Sequence, residues 1–173
     1  MKNRKTIIIV AIIAVLAIAV AIFAFLNSGN LKEKQQSQQN ATVKIVQGDK
    51  AVEFDLVYLK GLKKTVFSAD LAKNNTSPVK TSFTGVPLIT VLKDKGFNLD
   101  NVKQVIFTAA DGYASVINAQ EASDTDNVYL VYERNGKASG TKDQGGSGPI
   151  EMVVKNDQFS QRWCKFLMEI ELK

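Results

Sequence analysis

The chain has 173 residues, no histidine and a single cysteine, Cys164. Without histidine there is no ordinary general base, no imidazole metal ligand, and no Ser-His or Cys-His nucleophile pair. Cys164 stands between Trp163 and Lys165-Phe166, on the apolar side of an alternating pattern. Its expected state is a buried small hydrophobe, because a reactive thiol needs an exposed, electropositive setting. One cysteine also precludes an intrachain disulfide. Polar binding is what remains. The glycine-rich segment 140–148 offers Lys142, Gln144, Gly145, Gly146 and Ser147. Successive backbone N–H groups in such a loop can cradle an anion. The plainer reading is a mobile hairpin connection. Arg134 and Arg162 are candidates to add positive charge. Asp111 and Tyr113, with Tyr132, are candidate lining residues, although Asp111 also suits a turn. No strand–loop–helix context surrounds the glycines, so a nucleotide phosphate loop is excluded. Asp124 and Asp126 share a polar loop in which acidic pairs are ordinarily solvated. No catalytic residue and no metal site is therefore assigned.

The elements that must position these residues follow from periodicity. Leu88, Val91 and Leu92 lie at helical spacing after Pro87, and Gly96 ends the pattern, which predicts a helix over 87–95. Residues 102–108 form a buried-strand pattern, Asp111-Gly112 a turn, and 113–117 a second strand. Upstream, 43–46 and 52–58 alternate around Gly48-Asp49 and predict a hairpin. Ser68 is placed as the cap of a short helix over 69–73. Residues 79–83 read as strand, 119–122 as a helical turn and 128–134 as strand. Asn135-Gly136 is a two-residue hairpin signal. Residues 149–154 are an apolar strand. The closing strand, 163–172, puts Cys164, Phe166, Met168, Ile170 and Leu172 on one face. The fold class is α+β, mostly β with short helices.

In the segment 83–117, Gly85, Pro87, Leu88, Asp111, Gly112 and Tyr113 resemble the Gly-x-Pro-Leu helix start and the Asp-Gly-Tyr turn of the molybdopterin-binding oxidoreductase domain. Gly148, Pro149, Val153, Val154, Trp163, Ile170 and Glu171 resemble that family's later strand segments. The resemblance spans about residues 54–172 and implies a sulfite-oxidase-like fold. It also implies a molybdopterin cofactor whose metal is ligated by a cysteine upstream of the Gly-x-Pro-Leu helix. Residues 60–84 contain no cysteine. Where the family often carries an arginine after Gly-Pro-hydrophobic, this chain has Glu151. The resemblance thus implies a short form of the fold, lacking the metal-ligating cysteine. Molybdopterin enters by resemblance alone.

Residues 6–26 are uncharged and almost wholly apolar, long enough to cross the hydrocarbon core of a bilayer. Lys2, Arg4 and Lys5 precede them, which predicts a cytoplasmic N-terminus and an exported remainder. The apolar run is longer than a secretory signal and lacks a clean cleavage site, so an uncleaved anchor is expected. The expected organisation is a cytoplasmic tail (1–5), a transmembrane helix (6–26), a polar Gln-rich linker (27–41) and one extracytoplasmic domain (42–173). Those three basic residues account for much of the net charge of +5. The remainder is nearly balanced and carries no electrostatic footprint for nucleic acid. The expected partners are the membrane and an unidentified small molecule or protein. Three readings follow: a non-catalytic binding module on an enzyme's fold, a molybdopterin-dependent oxidoreductase with an atypical site, or a purely structural surface module.

Overall fold

The computed structural model describes residues 42–71, 77–158 and 160–173, together with Ile13, Ala14 and Leu16. The expected transmembrane segment, apart from those three residues, and the linker lie outside the described residues. Among the described residues, no helix is long and apolar enough to cross a membrane.

Two five-stranded sheets carry the domain. The first joins β1 (Val43–Gln47), β2 (Lys50–Phe54), β5 (Gln104–Ala109), β6 (Ala114–Asn118) and β10 (Leu167–Leu172), in the order β2-β1-β10-β5-β6. All its pairings are antiparallel except β1 with β10. The second joins β3 (Thr65–Leu71), β4 (Val79–Pro87), β7 (Val128–Arg134), β8 (Lys137–Ala138) and β9 (Glu151–Val154). Here β7 pairs with β4 along one edge, while β8 and β9 share the other. Among its described residues, three short α-helices, α1 (Leu56–Gly61), α2 (Leu88–Asp94) and α3 (Ala119–Ser123), complete it.

Residues from both sheets and from α2 join one buried cluster, which includes Ile45, Phe83, Leu88, Phe107 and Tyr129. Phe67 stacks on Tyr129 at 4.1 Å between ring centres, and Trp163 meets Phe83 edge-on at 5.4 Å. The Trp163 indole N–H donates to the Val154 carbonyl at 3.0 Å, so its polar end is satisfied inside the core. Gly85 sits where β4 shifts register against β7, and a Cβ there would lie 2.4 Å from the Leu130 carbonyl oxygen. That close approach requires glycine.

The strands and turns from 79 to 154 fall close to their expected places. Helix α2 starts after Pro87 and is capped by Lys95. Asn135 and Gly136 both take positive φ, 52° and 73°, as a two-residue hairpin turn demands.

Three expectations fail. The alternation over 52–58 does not continue as strand. Asp55 stops it, its Oδ1 accepting the Tyr58 N–H at 2.8 Å and capping α1. Residues 69–71 of the helix expected after Ser68 are strand, and 72 and 73 lie outside the described residues. Residues 65–71 pair with β4 along seven positions, and Phe67 and Ala69 are buried at period two, so sheet pairing overrides the capping signal. The last strand begins at Leu167, not Trp163. Phe166 takes φ of 53°, and the register shifts between Leu167 and Glu169. Leu167, Ile170 and Leu172 therefore point inward, while Met168 is exposed. Cys164 lies before the break and bridges to Met152.

Candidate functional site

The excursion between β8 and β9 leaves the edge of β7 and returns to it. It is folded onto itself. The N–H of Gly145 donates to the Lys142 carbonyl (2.9 Å), Gly146 to Thr141 (2.8 Å), Ser147 to Ser139 (2.9 Å) and Gly148 to Gly140 (2.9 Å). A 3-10 turn over Lys142–Gln144 is closed by Gln144, whose Oε1 accepts the Thr141 N–H at 3.2 Å. These N–H groups face the loop's own carbonyls, not an outer anion. A Cβ at Gly146 would stand 2.3 Å from the Ser139 carbonyl oxygen, so the loop closes only with glycine there. Lys142, Gln144 and Gly145 are exposed or nearly so, whereas Ser147 is buried.

Arg134 and Ser147 come together, with Glu151 as the third member. Arg134 ends β7 and Glu151 begins β9, and the two share the β7 edge. The Arg134 guanidinium lies 2.9 Å from Glu151 Oε2 and 3.2 Å from Oε1, and 3.3 Å from the Ser147 hydroxyl. Its face covers the Phe83 ring at 5.5 Å. The Glu151 side chain is wholly buried, the Arg134 side chain about three-quarters so. Burial pushes the Glu151 carboxyl above its ordinary range, and Arg134 and Ser147 pull back against it. Arg134 Nε is buried without a hydrogen-bond partner among the described residues.

Asp111 and Tyr113 do structural work on the β5–β6 turn. Asp111 Oδ1 accepts the Tyr113 N–H at 3.0 Å, and the Tyr113 hydroxyl donates to the Gln161 carbonyl at 2.5 Å. The turn and the glycine loop meet through one residue: the Phe166 N–H donates to the Ser147 carbonyl (2.7 Å), and the Phe166 carbonyl accepts the Ala110 N–H (2.9 Å). Arg162 does not join the loop. It is held between Glu121 (2.9 and 3.2 Å) and Asp157 (3.1 Å to Nε), and both carboxylates raise its pKa further. Cys164 is buried, and its thiol is pushed up to about 12 by burial and by the nearby Asp111 and Glu151 charges. Asp124 and Asp126 are engaged by protein partners. Asp124 accepts the Asp126 N–H, and Asp126 takes the Tyr129 hydroxyl and the Lys155 ammonium. Among the described residues, no cluster of three metal-ligating side chains exists.

A cleft of about 460 Å³ opens between α1 and the glycine loop. Leu56, Val57 and Lys60 of α1 line it, opposite Ser139, Thr141 and Gln144. Sequence reasoning reached Tyr132 and Gln144 but missed Ser139, and it missed Lys60 because the start of α1 was assigned to a strand. Asp55, three residues before Tyr58, was the available signal.

A family model described as the oxidoreductase molybdopterin binding domain matches residues 31–173. Among solved structures the chain is similar to the sulfane dehydrogenase SoxCD from Paracoccus pantotrophus, with 18% identity and a TM-score of 0.62. That match covers 79% of this chain and 39% of the other, so this chain spans well under half of its length. Comparison with curated proteins gives no match. The mostly-β architecture, the Gly85-to-Leu88 helix start and the family match over most of its length agree, and the chain belongs to the oxidoreductase molybdopterin-binding domain family.

Proposed function

We propose that this chain is a membrane-anchored, extracytoplasmic member of the family that acts as a non-catalytic binding module for a small ligand or partner. The observation that carries this reading is the Arg134–Glu151 pair. A buried carboxylate occupies the position where the resemblance implies an arginine, and it engages the nearest guanidinium. The donor set does not fit the family's cofactor. The only thiol is buried in the core and held protonated, no imidazole exists in the chain, and residues 60–84 supply no cysteine. No reaction step is derived through that group.

Anchoring is supported by residues 6–26 and the basic residues before them. The second reading, an oxidoreductase with an atypical cofactor site, draws on the family match itself. One measurement separates the two. The full chain is purified in detergent from a host that makes molybdopterin, then assayed for molybdenum and pterin fluorescence. Neither is expected above background. Molybdenum near one atom per chain would make the chain an enzyme with an unusual ligand set. Protease added outside intact cells should remove the domain and leave the anchor.

A further inference from the structure

The cleft between α1 and the glycine loop has an uneven lining. Leu56 and Val57 of α1 and Pro149 give it apolar walls, and Val57 is 77% exposed. Lys60, Ser139, Thr141 and Gln144 supply the polar part, and no acidic side chain lines it. Among the described residues Lys60 makes no ion pair; its ammonium stands 5.6 Å over the Tyr132 ring. Ser139 is the second, independent observation. Its backbone is fully used, the N–H donating to the Tyr132 carbonyl (3.0 Å) and the carbonyl accepting the Ser147 N–H (2.9 Å). Its hydroxyl is buried without a partner among the described residues. A buried hydroxyl left unpaired destabilises a fold unless something else satisfies it. The volume, about 460 Å³, is that of a small-molecule site.

We propose that this cleft binds a small organic anion, with its apolar body against Leu56, Val57 and Pro149 and its anionic head on Lys60 and the Ser139 hydroxyl. The site would prefer an anion to its neutral isostere because the only charge on its wall is positive. It would prefer an organic anion to an inorganic one because half of the lining is apolar. This deepens the binding-module reading and rests on it.

The test uses the full chain in detergent and isothermal titration with benzoate, with benzamide as the neutral isostere and inorganic phosphate as the head without a body. Benzoate should bind at millimolar concentration or below, and benzamide and phosphate at least about tenfold more weakly. Lys60→Gln and Ser139→Ala should each weaken benzoate about tenfold. Without ligand, Ser139→Ala should leave Tm unchanged or raise it, since it removes an unpaired polar group. A merely structural serine would instead lower Tm, and that result overturns the proposal. So does benzoate binding that is absent, matched by phosphate, or indifferent to Lys60→Gln. If benzoate fails and no molybdenum is found, the anion site falls and the binding-module reading stands. If molybdenum is stoichiometric, that reading falls whatever benzoate does.

Discussion

Two arginine–carboxylate pairs in this molecule have the same contact distance and opposite electrostatic character. Arg134 meets Glu151, and Arg162 meets Glu121, each at 2.9 Å. Burial raises the pKa of Glu151 in spite of its partner. The hydrogen bond from Arg162 lowers that of Glu121, against a smaller burial penalty. The difference lies in the solvent, since the Glu151 side chain has no exposure while the Glu121 side chain keeps about a quarter. An ion pair stabilises its carboxylate only when the attraction exceeds the lost hydration. The inner pair is a constraint on the fold, and the outer one is a modest brace between α3 and the turn at Asp157.

The largest way to break the comparison is Arg134→Met. It leaves Glu151 buried and uncompensated, and urea unfolding at neutral pH should show a loss of about 3 kcal/mol or more. Adding Glu151→Leu should recover most of that loss, because two apolar groups replace two charges. Arg162→Ala should cost about 1 kcal/mol, its guanidinium being 41% exposed. Molar salt should shrink that effect and leave the Arg134→Met effect nearly intact. The smallest and sharpest contrast is in pH. Glu121 has a lowered folded pKa, so its contribution is fully present above about pH 4.5 and is lost as pH falls through the lowered value. Glu151 has a raised one, so its ionisation destabilises the fold progressively as pH rises above about 4.5. Wild type should therefore gain on Glu121→Gln with rising pH and lose ground to Glu151→Gln. Slopes of the same sign for the two variants would mean that Glu151 is not governed by its burial.

The fold was more legible than the site. Period-two runs such as 128–134 and the Asn135-Gly136 turn are local signals, and β7 and its hairpin follow them. The strand reading of 52–58 failed because Leu56 and Tyr58 sit equally well in an alternating strand and a one-turn helix. Only the capping bond from Asp55 decides between them. Ser68 misled in the opposite direction, since a cap signal carries little weight against seven strand pairings. The face of the last strand was misassigned because a bulge shifts the alternation by one residue, and no residue type announces it. Arg134 and Ser147 were reachable as polar residues in an apolar setting. Their union with Glu151 was not, because it depends on β9 returning to the edge that β7 left open. Lys60 was out of reach once α1 had been missed.

Strand β10 lies between β1 and β5, which are not paired with each other. Ile45 pairs with Val52 in its own hairpin and Phe107 with Ser115 in the other, and the two hairpins meet through Ile170, which pairs with Ile45 on one side and Phe107 on the other. During synthesis the hairpins β1–β2 and β5–β6 can each form early, but both then wait with an open edge and an uncovered apolar face. Long-range pairings of this kind are slow, and the waiting species is prone to aggregate. The timing of assembly therefore belongs to residues 167–172. Until they emerge, the two hairpins keep their open edges, and a stall just short of them would leave two half-sheets without the strand that joins them.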